Sequence, residues 1–205
     1  MSQEVFEIVQ GMNLKDIRIQ MALQCAPLIT GIKISNLLIV QNNNVDQVKK
    51  ILKDSNISYY VLLIREKKTT LLLYKSSQLL KYLSDRRVKG LLMRLGYQDM
   101  EITQMFELFK TRYAAYMDGS KSFPHEMGLF LGYPVEDVEG FIENEGRNYL
   151  YTGYWKVYEN LSKKVKLFKQ FEIAKETLIQ MVAYGLSIED VIDIYSDNEQ
   201  LEAAV

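Results

Sequence analysis

The chain has 205 residues, 48% of them hydrophobic and 25% charged, enough to bury a substantial core and too apolar for a disordered chain except at its ends, where Ser196 to Val205 is polar. Its 25 Lys and Arg against 26 Asp and Glu give a formal net charge of −1, without the basic excess that phosphate-backbone binding draws on, so nucleic acid is disfavoured as a partner. One cysteine, Cys25, excludes an intramolecular disulfide and any multi-cysteine zinc or iron–sulfur site within one chain.

Met1 to Gln10 carries Glu4 and Glu7 and lacks the basic and apolar regions of a signal peptide. No apolar run approaches the ~20 residues of a membrane span, so the expected address is the cytoplasm. Asn13 caps a predicted helix from Leu14 to Gln24, which Pro27 is expected to stop. Ala26 to Ser35 reads as a loop holding Gly31 and the cation Lys33, and Leu37 to Val40 as a short strand. Asn44 caps a predicted helix to about Asp54, with Val45, Val48 and Leu52 on one face. Ile57 to Ile64 and Thr69 to Tyr74, separated by the charged turn Arg65 to Lys68, predict a β-hairpin. Strand, helix, strand, strand is the order of a small mixed sheet with helices against it.

From Gln78 onward the pattern is helical. Leu95-Gly96-Tyr97, Leu131-Gly132-Tyr133 and Tyr184-Gly185-Leu186 each precede acidic residues: Asp99 and Glu101, Glu136 and Asp137, Glu189 and Asp190. A left-handed glycine ending one helix and acids opening the next account for all three better than an internal repeat does. Arg147 to Tyr158 breaks the helical pattern with Tyr149, Tyr151, Gly153, Tyr154, Trp155 and Tyr158, and the alternating tyrosines predict an extended piece. A long helix is expected from about Glu159 to Ala183, and Ser187 caps a last one through Tyr195. The fold class expected is α+β, with a sheet-containing part at 1–97 and a helical part at 98–205. No Pro/Gly/Ser-rich linker separates them, so they should pack as one unit.

Three blocks carry a family resemblance. They are Cys25-Ala26-Pro27 with Gly31, Lys33 and Leu37; Phe123-Pro124-His125-Glu126 running through Gly128, Phe130-Leu131-Gly132-Tyr133-Pro134, Asp137-Val138 and Phe141-Ile142; and Gly153-Tyr154-Trp155-Lys156-Val157-Tyr158. Together they resemble the signatures of domain-of-unknown-function family 3793, found mainly in anaerobic Firmicutes. The resemblance implies no established activity, and the cofactor stays unknown. It also implies a further cysteine in the helix after the Trp-Lys block. Phe171-Glu172-Ile173-Ala174-Lys175 has none, which weakens any two-cysteine metal or redox site.

Among residues with chemistry to offer, His125 is the sole histidine. Pro124 suits a first helical position and Glu126 the positive end of a helix dipole, so both have a structural reading. The same dipole disfavours an imidazolium and favours a neutral ring able to act as acceptor, base or ligand. His125 and Glu126 are therefore the catalytic candidates, although adjacent helical residues diverge and Glu126 is a poor orienting partner. A metal site would need His125 with distant ligands such as Cys25 and Asp137, and no spacing supports one. A Cys25–His125 nucleophile–base dyad competes with the plainer reading of Cys25 as a small buried apolar residue. Lys33, Tyr154, Trp155 and Lys156 are ligand-binding candidates for an anionic, planar molecule, by aromatic stacking and lysine contacts; the alternative is packing of a Tyr-dense loop. Lys163, Lys164, Lys166 and Lys169 spread around one helix as a solvated surface. Three functions stay open: a module handling a small anionic ligand or metal, an enzyme with His125 as general base, and an adaptor binding a protein partner through its tyrosines.

Overall fold

In the computed structural model, residues 2–203 are described, with side chains through residue 196. A helix α1 (Gln3–Gln10) precedes α2 (Ile17–Ile29), β1 (Ser35–Gln41), α3 (Val45–Leu52), β2 (Ser58–Ile64) and β3 (Lys68–Tyr74). Helices α4 (Ser76–Leu83), α5 (Arg86–Arg94), α6 (Ile102–Met117), α7 (Glu126–Phe130) and α8 (Val135–Glu143) follow. A two-residue-per-strand hairpin, β4 (Tyr151–Thr152) and β5 (Lys156–Val157), then leads to α9 (Leu161–Ala183) and α10 (Ile188–Ala203). The α+β class and the helical second half are as expected. Among the described residues, no helix is long and apolar enough to cross a membrane.

The sheet is antiparallel, not mixed. Its order is β1-β3-β2, with Leu38 opposite Leu71 and Tyr60 opposite Leu72. The β1–α3–β2 connection makes its two strands run in the same direction, but β3 folds back between them. Every ladder is therefore antiparallel, and the hairpin turn at 65–67 decides this. A register shift between Val61 and Leu63 marks a bulge in β2.

Strand alternation sorts the core. Leu38, Val40, Leu71 and Leu73 face a first core with Met21, Ala22 and Cys25 of α2, Val48 and Leu52 of α3, and Leu178, Ile188, Val191 and Ile192 near the chain end. Leu62 and Leu72 belong to a second core with Leu79, Val88, Leu92, Tyr97, Phe106, Phe109, Phe130 and Val138. Both sheet faces are thus covered by helices. The second core draws residues from both sides of Tyr97. A third, smaller cluster joins Trp155 and Val157 to Phe168 and Phe171 of α9.

Several boundaries differ from expectation. Helix α2 is capped by Asp16, whose carboxylate accepts from Arg18 N at 2.9 Å, and it runs through Pro27 instead of stopping there. Interior proline costs about 3 kcal/mol, yet continuing the helix buries Leu28 and Ile29, at roughly 1.5–3 kcal/mol each. Burial wins. Asn44 makes no side-chain cap on α3. Asp85 splits the first post-sheet helix by capping Arg87 N and Val88 N at 2.9 and 3.3 Å. Ser187 does cap α10, its Oγ accepting from Asp190 N at 3.0 Å. The backbone of α10 continues past Tyr195, and most side chains of the polar stretch Ser196 to Val205 lie outside the described residues. Gly96, Gly132 and Gly185 all have positive φ, as the helix corners required. Lys164 is not part of a solvated surface: it is buried and paired with Glu136 at 2.5 Å.

Candidate functional site

The segment around His125 meets the Trp155 hairpin because two glycines permit close approach. A Cβ on Gly128 would stand 2.8 Å from Val138 Cγ2, so its absence lets α7 and α8 touch. A Cβ on Gly153 would stand 2.4 Å from Phe168 Cε2, so the hairpin tip lies directly on α9. The hairpin is held by Asp137, which is 2% exposed. Its Oδ2 accepts from Trp155 Nε1 at 2.7 Å, and its Oδ1 from Tyr158 N at 2.8 Å and Glu159 N at 3.3 Å. Lys164 Nζ lies 3.6 Å from Asp137 Oδ2, so a buried cation balances this carboxylate. Burial would push the Glu136 carboxyl up, but its hydrogen bond from Lys164 holds it below the ordinary value.

These elements line a partly open cavity of about 170 Å³ walled by Phe123, His125, Tyr133, Val138, Phe141 and Trp155, with Met127, Gly128, Asp137 and Lys156 completing it. Trp155 and Tyr133 stack with ring centres 4.8 Å apart and 27° between planes. The imidazole of His125 is flanked by Phe123 at 5.7 Å and Phe141 at 5.8 Å. Its Nδ1 is buried and has no hydrogen-bond partner. Lys156 Nζ donates to Gly146 O at 2.7 Å and sits over the Tyr149 ring at 4.9 Å and the Phe141 ring at 5.7 Å. Its ammonium is thus already engaged, and the wall is almost wholly apolar.

Of the residues singled out in the sequence, His125, Asp137, Trp155 and Lys156 come together here. The others go elsewhere. Glu126 is buried and accepts from Tyr97 Oη at 2.9 Å and Arg112 Nη1 at 3.1 Å; it ties α7 to the α5–α6 corner and does not line the cavity. Pro124 lies one residue before the N-cap His125 rather than at the first helical position, and α7 is a single short turn. The dipole reading for both His125 and Glu126 is correspondingly small. No hydrogen bond joins Glu126 to His125. Tyr154 turns to α9, its Oη donating to Glu172 Oε1 at 2.6 Å. Lys33 is buried outside the cavity, donating to Asn36 Oδ1 at 3.0 Å and lying over the Tyr133 ring at 5.3 Å. Burial pulls its ammonium down to about 8, partly opposed by Cys25. Cys25 is in the first core, where burial pushes the thiol up to about 12; it does not reach the cavity. Among the described residues, no group of three or more His, Cys, Asp or Glu is placed to hold a metal ion.

Sequence reasoning did not single out Phe123, Tyr133, Val138 and Phe141 as wall residues. Their signal was present: all four fall in the long central block that begins at Phe123.

Fold and cavity together define an α+β protein whose antiparallel sheet is covered by helices on both faces, with a small aromatic cavity between the second and third cores. Residues 21–192 match a family model described as a protein of unknown function, DUF3793. The chain belongs to that family. No curated protein and no solved structure matches it.

Proposed function

We propose that the protein is a cytoplasmic binding module for a small, flat, uncharged ligand held in the Phe123–Phe141–Trp155 cavity. The observation that carries this reading is the wall itself: aromatic faces on several sides, an apolar lining and one unpartnered ring nitrogen. An apolar cavity of about 150 Å³ suffices for benzene, so about 170 Å³ suits one ring with a small substituent. An anionic ligand is less well served, because Lys33 lies outside the cavity and Lys156 is bonded to Gly146 O. The chain's sole tryptophan, Trp155, stands in the wall, so its emission reports occupancy directly. Titration with toluene should shift or quench that emission with a Kd on the order of 0.1 mM, and Val138→Phe, which fills the space, should abolish the response. No emission change and no thermal shift with any neutral single-ring compound would sink this reading.

A second reading, a protein-binding adaptor, rests on the β4–β5 hairpin. Tyr149, Leu150, Tyr151 and Tyr154 are 46%, 57%, 46% and 38% exposed, an apolar concentration of the kind found at interfaces. Changing Leu150 and Tyr151 to Ser should then remove partner retention and leave the toluene response intact.

A further inference from the structure

We infer that the ligand is a neutral monocyclic phenol whose hydroxyl pairs with His125 Nδ1, an inference that rests on the cavity reading above. Among the described residues, two buried side-chain polar atoms lack any partner: His125 Nδ1 and Tyr158 Oη. Tyr158 does not line the cavity, whereas His125 does. A buried nitrogen without a partner is unfavourable, and a ligand that supplies one gains what the protein alone lacks. The imidazole is wedged between two aromatic rings and not tied by a carboxylate. Its Nδ1 is buried, so pairing with an occupant requires the ring to turn about its side-chain torsion, which for His is broad.

The chemistry of that occupant follows from what the wall withholds. A carboxylate would need a cation, and the Lys156 ammonium is held away from that role by its bond to Gly146 O and its place over two aromatic faces. An ammonium would need a carboxylate, but both oxygens of Asp137 are taken by Trp155 Nε1 and the Tyr158 and Glu159 amides. A neutral group remains. Nδ1 donates in one imidazole tautomer and accepts in the other, and a hydroxyl serves both. A phenol also keeps its proton at neutral pH, and its flat ring matches the Trp155, Phe123 and Phe141 faces.

Isothermal calorimetry on the full chain with phenol, toluene and benzoate, backed by Trp155 emission, separates the possibilities. Phenol should bind about tenfold more tightly than toluene, with benzoate weakest. His125→Phe should remove the phenol preference, so that phenol and toluene bind that variant with equal affinity whatever its absolute value, and His125→Leu should do the same should the first fold poorly. Equal affinities for phenol and toluene in the natural protein would overturn the hydroxyl pairing and leave the cavity reading standing. A phenol preference surviving both variants, or benzoate binding more tightly than phenol, would also overturn it. If none of the three binds, the cavity reading itself falls.

Discussion

Lys33 is buried close enough to Cys25 of the first core for each to influence the other's charge, and their titrations oppose one another. Burial lowers Lys33 from 10.5 to about 8. Between those values the unfolded chain holds more protons than the folded one, so this residue makes stability rise with pH. Burial raises Cys25 from 9.0 to about 12. Above pH 9.0 the folded chain therefore holds the extra proton, and this residue makes stability fall as pH rises. Each effect amounts to a few kcal/mol across its window, at about 1.4 kcal/mol per unit. Urea unfolding should show stability rising from about pH 8 and levelling off past pH 9. Cys25→Ala should keep the rise going toward pH 10.5, and Lys33→Met should lose it. At this same scale, Glu126 illustrates how a residue beside the site can be wholly structural. Its carboxylate is consumed by Tyr97 and Arg112, and its neighbour His125 is the one left open.

At the scale of elements, corners and the hairpin decide where the site can form. Gly132 has φ +67°, and a Cβ there would stand 2.4 Å from Ile34 Cγ1. Gly185 has φ +96° with nothing within 4 Å of the added atom. Gly132→Ala combines backbone strain with overpacking and should cost roughly 2–4 kcal/mol, against roughly 1–2 kcal/mol for the strain alone in Gly185→Ala. Denaturant midpoints of the two variants measure the difference; equal losses would mean that the Gly132 corner is not the tight contact described. The pair also shows why three similar corners in the sequence are unequal in space. Each glycine was expected from its place after an apolar residue and before acids. Only packing assigns Gly132 to the close contact beside the sheet and leaves Gly185 open.

For the whole molecule, the second core combines residues from β2 and β3 with residues of α6, α7 and α8, and the first core closes with Ile188, Val191 and Ile192 of α10. Far-ultraviolet and Trp155 signals should therefore report one shared unfolding transition. Removing α10 should lower stability by several kcal/mol, from three buried aliphatics at roughly 1.5–3 kcal/mol each. Two separated transitions would instead mean that 1–97 and 98–205 fold independently. Local chemistry by itself determined the strands, the hairpin turn, the glycine corners, the Ser187 cap and the block that carries His125 and most of the cavity wall, because period, turn residues and caps act over a few neighbours. Tertiary structure decided the rest. It placed β3 between β1 and β2, carried α2 past Pro27, and sent Glu126, Lys33 and Cys25 away from His125. It brought Trp155 to His125 through Asp137. These outcomes depend on which surfaces meet across many residues of chain, and burial there outweighs the local preferences that a sequence displays.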